Sequence, residues 1–320
     1  MFMLKRGLLS GLRTTWTLSK VIFPITLFVT ILGYTPVLDW LATFIAPLMN
    51  VIGLSGEAAI PLVIGNALNL YAGIGAILSL DLTVKEVFIL AIMLSFSHNL
   101  FIESAVAAKV GLRISIILAV RIGLALVSAF IINLVWQGGG EQAVYGFSSG
   151  SEAAVVGAES TGWLSIIGEG VTAGLMGILQ LALIVIPLMM IVQIMREKNW
   201  LKLIATSLSP LTKLIGVEKN TSITLASGLS IGLAYGAGVM IDAVKEDKVK
   251  KKDLYIVFIF LVACHAVVED TLVFLILGIP VWPLLLIRLA AALLLTIVIS
   301  RVWNQYDRKR MKQPDESYVH

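Results

Sequence analysis

The sequence has little charge and almost no cysteine. Only 14% of its 320 residues are charged and 58% are hydrophobic, whereas a soluble protein of this length carries nearly twice that charged fraction. The one cysteine, Cys264, excludes an internal disulfide and a cysteine-rich metal site. Basic residues occupy short loops and both ends of the chain, so the net charge of +4 does not indicate a nucleic-acid partner.

Long apolar stretches are abundant instead. Segments 21–32, 114–135, 175–195 and 282–300 are each long enough, or nearly so, to cross a bilayer as a helix. Because lipid offers no hydrogen bonds to the backbone, such segments must satisfy their own polar groups as helices. The sequence therefore predicts an all-α polytopic membrane protein whose first partner is the lipid bilayer.

The two halves of the sequence repeat each other. At an offset of 163 residues (228 − 65) Gly65 falls on Gly228, and at an offset of 167 (265 − 98) His98 falls on His265. The same offsets also align Pro24, Pro47, Gly73, Gly75, Glu103 (with Asp270), Arg121 (with Arg288) and Trp136 with their counterparts. Unrelated apolar runs do not share such residues in register, so we infer an internal duplication over about 20–137 and 183–304.

Each repeat is predicted to hold three transmembrane helices, one amphipathic helix and one Gly-rich hairpin. The predicted divisions are a basic N-terminus (1–16), repeat 1 (17–137), an acidic Gly/Ser-rich external linker (138–169), repeat 2 (170–304) and a basic tail (305–320). In chain order the parts are an apolar helix with a proline (17–35, 170–195), the amphipathic stretch (37–53, 198–216), the Gly-rich stretch (56–80, 219–243), a helix with polar residues (85–108, 252–277) and a closing helix (113–136, 281–303).

The two Gly-rich stretches indicate where a transport site would lie. Three or four glycines with Asn or Ser disfavour an uninterrupted helix, and broken segments at matching positions of two halves are typical of transport sites. We interpret 56–80 and 219–243 as re-entrant hairpins. The alternative is a pair of ordinary membrane helices whose glycines allow close packing.

The distribution of Lys and Arg predicts the topology. Segments 21–84 and 122–195 contain no Lys or Arg. The one basic residue that departs from the pattern is Lys85, at the outer end of a helix. Basic residues cluster instead around 109–113, 196–219 and 245–252, and at both ends of the chain. With the hairpins not crossing, the positive-inside rule gives six crossings, two inverted repeats and two cytoplasmic termini.

Seven ionisable residues fall inside predicted membrane helices. They are His98, Glu103 and Arg121 in repeat 1, and His265, Glu269, Asp270 and Arg288 in repeat 2. Each costs about 2.5 kcal/mol or more at the centre of a bilayer, so each is a functional candidate. The alternative is structural: counted from the turn at Gly111, Glu103 lies level with Arg121, and Asp270 with Arg288, as two ion pairs.

Glu269 has no acidic counterpart, because Ile102 occupies its position in repeat 1. It follows His265 by four residues, which places both on one face of a helix. Such a pair could relay protons or coordinate a cation; alternatively, Glu269 is protonated and only hydrogen-bonded within the bundle. Polar candidates for solute contact, or for packing, are Asn66, Asn69, Tyr71, Ser97, Asn99, Ser227, Ser230 and Tyr235.

The order of parts, with the motifs SHNLFIES and HAVVEDT, resembles the Gate, or nucleoside-recognition, domain. That domain is shared by concentrative nucleoside transporters, the membrane part of ferrous-iron transporters and spore maturation proteins. The resemblance implies a solute site between the hairpins and the polar helices, carried over here to Asn99, Glu103 and Glu269 or Asp270. The iron transporters carry a GTPase and intramembrane cysteines, whereas this sequence has no P-loop and only Cys264.

The sequence thus predicts a secondary transporter of the bacterial inner membrane. Its partners would be a small polar solute, nucleoside-like or an organic anion, and H⁺ or Na⁺, and a homo-oligomer is compatible with the sequence. We predict no enzymatic activity, cofactor or resident metal, since there is no HExxH and no nucleophile–base pair. The rival hypothesis is a structural or partner-binding membrane protein whose buried charges are only ion-pair staples.

Overall fold

The chain is mainly helical in the part that the structure describes. That structure is a computed structural model, and it describes residues 2–146, 162–198, 200–233, 240–242, 244 and 249–312. Five helical stretches in it are long and apolar enough to cross a bilayer: Leu4–Gly33, Val84–Lys109, Ile114–Val135, Trp163–Met195 and Val281–Tyr306. The predicted all-α class is confirmed, with five such stretches where the sequence predicts six.

The first half contains seven helices between residues 2 and 135. They are α1 (Phe2–Gly33), α2 (Pro36–Val51), α3 (Ala59–Ala67), α4 (Leu70–Ile77), α5 (Val84–Ser97), α6 (Leu100–Lys109) and α7 (Ile114–Val135). α1 includes nearly all of the predicted N-terminal segment 1–16. α2 opens on Pro36, whose fixed φ suits the first turn of a helix.

α3 and α4 form a helical hairpin within the first Gly-rich stretch. After α3 ends, Asn69 takes an extended backbone, and its side-chain oxygen accepts a 3.0 Å hydrogen bond from the Ala72 amide to start α4. A Cβ added at Gly73 would lie 3.0 Å from the Cα of Gly65. The two arms touch because both glycines lack a side chain, so a continuous helix does not describe this stretch.

The second half has the same order of parts. Its helices are α8 (Trp163–Glu197), α9 (Trp200–Ser207), α10 (Ser209–Ile215), α11 (Ser222–Ile231), α12 (Lys251–Ala263), α13 (Glu269–Leu272) and α14 (Val281–Lys312), with 3₁₀ turns at Lys219–Thr221 and Val273–Leu277. α8 begins inside the predicted linker 138–169. Tyr235 and residues 245–248 of the basic cluster 245–252 lie outside the described residues.

The first part of the predicted linker is an ordered strap. The Ala143 amide donates to the Leu82 carbonyl at 2.9 Å, and the Gly146 amide donates to the Ile276 carbonyl at 2.8 Å. Tyr145 donates its hydroxyl to the Leu80 carbonyl at 2.9 Å, and burial raises the pKa of this phenol, which keeps it protonated. The strap therefore connects repeat 1 to repeat 2.

Corresponding residues of the two halves make the same contacts. The Asn99 amide donates to the Gly65 carbonyl at 2.9 Å, and the Ala266 amide donates to the Gly228 carbonyl at 3.0 Å. Three further contacts or conformations recur: Ser55 N to Glu86 and Glu218 N to Asp253; left-handed Gly53 and Gly216; and left-handed Gly111 and Gly278. The duplicated sequence thus builds a duplicated set of turns and caps.

The first helices of the two halves, α1 and α8, pack against each other. A Cβ at Gly7 would lie 2.9 Å from the Cα of Met190, and near the other end a Cβ at Gly170 would lie 3.5 Å from the Cα of Leu27. Rising numbers on α1 meet falling numbers on α8, so the two helices run antiparallel. Small residues at the contact let the backbones approach closely.

The stretch α5–α6 forms the centre of the protein. In its most apolar window 83% of the residues are buried, against 22–28% in the other four candidate spans. The outer helices expose large apolar side chains instead, such as Leu134 and Val135 at the end of α7. Such continuous apolar surface suits contact with lipid, so polar residues on α5 and α6 lie inside the bundle.

Candidate functional site

Both polar helices are broken at their histidines. α5 ends at Ser97 and α6 begins at Leu100, with Asn99 between them at φ +55°. α12 ends at Ala263, and helix resumes only at Glu269, after Ala266 at φ +42°. The predicted helices 85–108 and 252–277 are therefore each interrupted at these points, because a residue in the left-handed region cannot continue a right-handed helix.

The two histidine rings face each other at the centre of the protein. Nδ1 of His98 lies 2.7 Å from the Leu94 carbonyl oxygen, and Nδ1 of His265 lies 2.9 Å from the Leu261 carbonyl oxygen. The two Nε2 atoms are 3.4 Å apart. Both side chains are buried. The contact between the two Nε2 atoms joins the two repeats through corresponding residues.

Two carboxylates surround this pair. Oε1 of Glu103 lies 3.4 Å from Nε2 of His98 and 3.2 Å from Nε2 of His265. Oδ2 of Asp270 lies 3.5 Å from Nε2 of His265. Glu103 is 3% exposed and Asp270 6% exposed, so water contributes little to stabilising either charge.

The two arginines are fully buried and hold the carboxylates. Nη1 of Arg121 forms an ion pair at 2.8 Å with Oε2 of Glu103, without hydrogen-bond alignment, and Arg288 Nη2 lies 3.1 Å from Asp270 Oδ2. Each arginine also donates to the backbone carbonyl of its histidine, His98 at 2.5 Å and His265 at 2.8 Å. The structure thus brings together the partners of both predicted ion pairs, and the arginines also cap the helix breaks.

Glu269 is placed differently from the prediction. It does not share a helix face with His265, because Cys264–Val268 is not helical and the four-residue spacing has no helical meaning there. Its Oε1 accepts a 2.5 Å hydrogen bond from the hydroxyl of Tyr71 on α4. Glu269 is buried, and this bond connects the hairpin of repeat 1 to the polar segment of repeat 2.

Among the other predicted polar residues, Asn66 and Ser97 line a cavity, whereas the remaining described ones cap a helix or lie buried or partly buried elsewhere. Asn66 accepts a 2.8 Å hydrogen bond from Ser97, and both line a cavity of about 570 Å³ between α2, α3, α5 and α7. Asn69 caps α4, and the Asn99 side-chain oxygen is buried without a hydrogen-bond partner among the described residues. Ser227 is buried in α11 and Ser230 is partly buried.

Sequence reasoning missed the contact between the two histidines. The usable signal was the duplication: residues close to the axis that relates two repeats face their own counterparts. The carbonyl oxygens of Phe96, His98 and His265, which accept from the arginines, leave no trace in the sequence. A helix prediction assigns those oxygens to helical hydrogen bonds instead.

Comparison with known proteins gives one family and one close relative. The profile of the Gate family, described as nucleoside recognition, matches residues 15–113 and 178–280. The starts of the matches differ by 163 (178 − 15) and their ends by 167 (280 − 113), the offsets of the internal repeat. The chain is 63% identical over 300 residues to the uncharacterized membrane protein YvoD of Bacillus subtilis (strain 168), covering 94% of this chain and 95% of that protein. No solved structure matches the chain.

Proposed function

The chain belongs to the Gate (nucleoside recognition) family of membrane proteins, and we propose that it is an ion-coupled secondary transporter of a small polar solute across the cell membrane. The observation that carries the proposal is the buried polar centre at the helix breaks. Both repeats contribute a histidine, a carboxylate and an arginine to it. Ionisable side chains are retained inside a membrane bundle chiefly along ion and substrate pathways.

We further propose that the two repeats are inverted relative to each other. The antiparallel packing of α1 and α8, which correspond in sequence, supports an inversion. So does the alternation of Lys and Arg along the chain. On this basis α3–α4 enters the membrane as a re-entrant hairpin, and both termini lie in the cytoplasm. We propose the same hairpin for the matching stretch 219–243, of which residues 234–239 and 243 lie outside the described residues.

The solute site is proposed where hairpin α3–α4 meets α5. The cavity there, about 570 Å³, lies within the size range of small-molecule sites, about 300–1,000 Å³. Its wall is apolar except at Asn66 and Ser97, whose hydrogen bond could open to a polar group of the solute. An apolar wall with a few polar groups suits a nucleoside base or the carbon skeleton of an organic anion.

The coupling ion, H⁺ or Na⁺, is proposed to act at Glu269. This buried carboxylate has no counterpart in repeat 1, and its contact with Tyr71 joins the two repeats. Protonation, or Na⁺ in place of the tyrosine hydroxyl, would change that contact. The coupling ion could thereby change how the hairpin and the polar segment fit together.

A second candidate function is a structural or partner-binding membrane protein. Its supporting observation is that Glu103 and Asp270 are both paired with buried arginines. Buried pairs of this kind can specify a fold without binding a ligand. Under this hypothesis Glu269 is one more internal hydrogen-bond acceptor.

Thermal unfolding of the purified protein with added solutes distinguishes the two functions. Uridine, adenosine, succinate and citrate would be tested at two pH values on the wild type, on Glu269→Gln, and on Glu218→Gln as a control on the exposed surface. A transporter predicts that one solute class raises the midpoint of wild type and of Glu218→Gln but not of Glu269→Gln. If no solute shifts the midpoint and Glu269→Gln is as stable as wild type, the structural function is favoured.

A further inference from the structure

We propose that His98, His265 and Glu103 form a binding site for a divalent first-row transition-metal cation, with Asp270 as a further ligand. This site is distinct from the Glu269–Tyr71 contact at which the coupling ion is placed. The proposal concerns binding at equilibrium, so it stands or falls independently of solute transport.

The lone pairs of the two histidine rings point toward each other. A backbone carbonyl only accepts hydrogen bonds, so the Nδ1 atoms that contact Leu94 and Leu261 must carry the hydrogen. In the neutral ring, Nε2 then carries a lone pair. Both lone pairs belong to atoms only 3.4 Å apart, an arrangement that is repulsive without a cation between them.

The three ligand atoms form a triangle of the size that a metal site requires. Nε2 of His98, Nε2 of His265 and Oε1 of Glu103 are separated by 3.4, 3.4 and 3.2 Å. Ligands of a tetrahedral ion with bonds of about 2.0–2.1 Å lie about 3.3–3.4 Å from one another. The three atoms therefore have the spacing of one face of a tetrahedral metal site.

Asp270 supplies the further ligand position. Its carboxylate oxygen and the two histidine nitrogens all lie within 4.8 Å of one another. Two imidazoles with carboxylates are a common ligand set for Zn²⁺ and for other divalent metals that accept nitrogen and oxygen.

Neighbouring groups hold the ligands in position. Protein histidines that bind metals usually donate their second nitrogen to a carbonyl or carboxylate, which fixes the ring. Both histidines do this here. Arg121 holds Oε2 of Glu103 and leaves Oε1 directed at the histidines. The ligands are thus held in position by groups that do not themselves bind the ion.

The arginines also limit how tightly an ion binds. Arg121 and Arg288 already balance the charges of Glu103 and Asp270, so a dication adds positive charge to a buried site. We therefore expect a dissociation constant on the order of 1 μM, weaker than that of structural zinc sites. Binding of that strength is reversible, as a site that loads and releases an ion requires.

Co²⁺ binding followed by visible absorption tests the proposal. The full chain would be purified without a polyhistidine tag, treated with a chelator and titrated with Co²⁺, followed by displacement with Zn²⁺. We expect one Co²⁺ per chain, with the absorption of a low-coordinate nitrogen and oxygen site. His98→Gln and His265→Gln should each weaken binding at least tenfold.

Two matched controls isolate the site. His320→Gln removes the one histidine outside the pair, and Cys264→Ser removes the one thiol; both should bind Co²⁺ as the wild type does. The proposal is overturned if folded wild type shows no saturable binding below about 100 μM, or if the His98 and His265 variants bind unchanged. Should those variants fail to fold, X-ray absorption of Zn²⁺ on the wild type decides: imidazole scattering supports the site, and its absence refutes it.

Discussion

The two broken polar helices share a framework but differ in how completely it is satisfied. In both, the histidine donates Nδ1 to a carbonyl one turn earlier, the following amide donates to a hairpin glycine, and an arginine caps the histidine carbonyl. In repeat 1, Arg121 donates to the Phe96 and His98 carbonyls and also pairs with Glu103. In repeat 2, Nε and Nη1 of Arg288 have no hydrogen-bond partner among the described residues.

The chain after each break differs as well. Helix α6 resumes at once and continues from Leu100 to Lys109, whereas Cys264–Val268 is irregular and leads only to a single turn of helix and a 3₁₀ turn. Position 102 holds an isoleucine that is 54% exposed, and its counterpart Glu269 is 6% exposed. Repeat 1 thus continues as a regular helix after its break, whereas repeat 2 follows an irregular path and leaves two arginine nitrogens without a hydrogen-bond partner among the described residues.

The largest expected effect on stability comes from removing each arginine in turn. Arg121→Met should lower the free energy of unfolding by about 3–5 kcal/mol, because Glu103 stays charged and buried without its partner. Arg288→Met should cost about 1 kcal/mol less, because Arg288 donates both of its hydrogen bonds through Nη2 alone and its ion pair with Asp270 (3.1 Å) is longer than that of Arg121 with Glu103 (2.8 Å). Denaturant unfolding in detergent measures both. The control is Arg121→Met with Glu103→Gln, which should recover at least half of the loss; equal costs for the two arginines would remove the asymmetry.

The next test concerns the hydrogen bond between Tyr71 and Glu269, which connects repeat 1 to repeat 2. A double-mutant cycle with Tyr71→Phe and Glu269→Gln should give a coupling energy of about 1.5–3 kcal/mol, typical of a buried hydrogen bond to a charged group. Unfolding of the four proteins provides the measurement. Ile102→Ala at the exposed matching position should change stability by no more than about 0.5–1 kcal/mol. A coupling near zero would mean that Tyr71 and Glu269 do not hold the repeats together.

A smaller effect on stability is expected at the glycines, where the two repeats have the same packing. A Cβ at Gly65 would lie 2.5 Å from Cδ2 of Leu94, and a Cβ at Gly228 would lie 2.5 Å from the corresponding leucine, Leu261. Gly65→Ala and Gly228→Ala should each cost about 1–3 kcal/mol through overpacking, and by the same amount within error. Gly123→Ala, which has nothing within 4 Å, should be neutral or stabilising. Unequal costs would show that the two hairpins pack differently.

The smallest effect concerns the residues at positive φ. Ala266 at +42° carries a left-handed strain that Asn99 at +55° tolerates better. Ala266→Gly should raise the free energy of unfolding by up to about 1 kcal/mol, and Asn99→Gly by less. The unfolding midpoint measures both, and Ala266→Val should lower it. An Ala266→Gly protein less stable than wild type would contradict the assigned conformation.

The sequence predicts the pairing of charges better than the path of the backbone. The partners of Arg121 and Arg288 follow from counting outward from Gly111 and Gly278, because two antiparallel segments around a turn keep that register. The break at Cys264–Val268 does not follow, because hydropathy gives no sign that a hairpin glycine accepts the Ala266 amide. The sequence does not predict the Glu269–Tyr71 hydrogen bond either, because the two residues lie in different repeats and are 198 residues apart.

The duplication was the one feature of the sequence from which the contact between the two histidines could be predicted. Its members are 167 residues apart, so no local pattern places them together. Matching positions in two related halves do meet if they lie near the relating axis, and His98 and His265 were the one matched histidine pair. Which matched pairs lie at that axis depends on packing, and this the sequence does not specify.

The contact between α1 and α8 has a consequence for how the protein is made. α8 begins 130 residues after α1 ends (163 − 33), so at about 5–20 residues per second the ribosome needs roughly 7 to 26 seconds to reach it. Throughout that interval the small-residue face of α1 has no partner, and the first half has only one of the two histidines. We expect a chain ended after residue 146 to be inserted but degraded, which pulse-chase labelling beside the full chain would measure. We therefore do not expect the first half of the protein to be stable in the membrane before the second half has been synthesised.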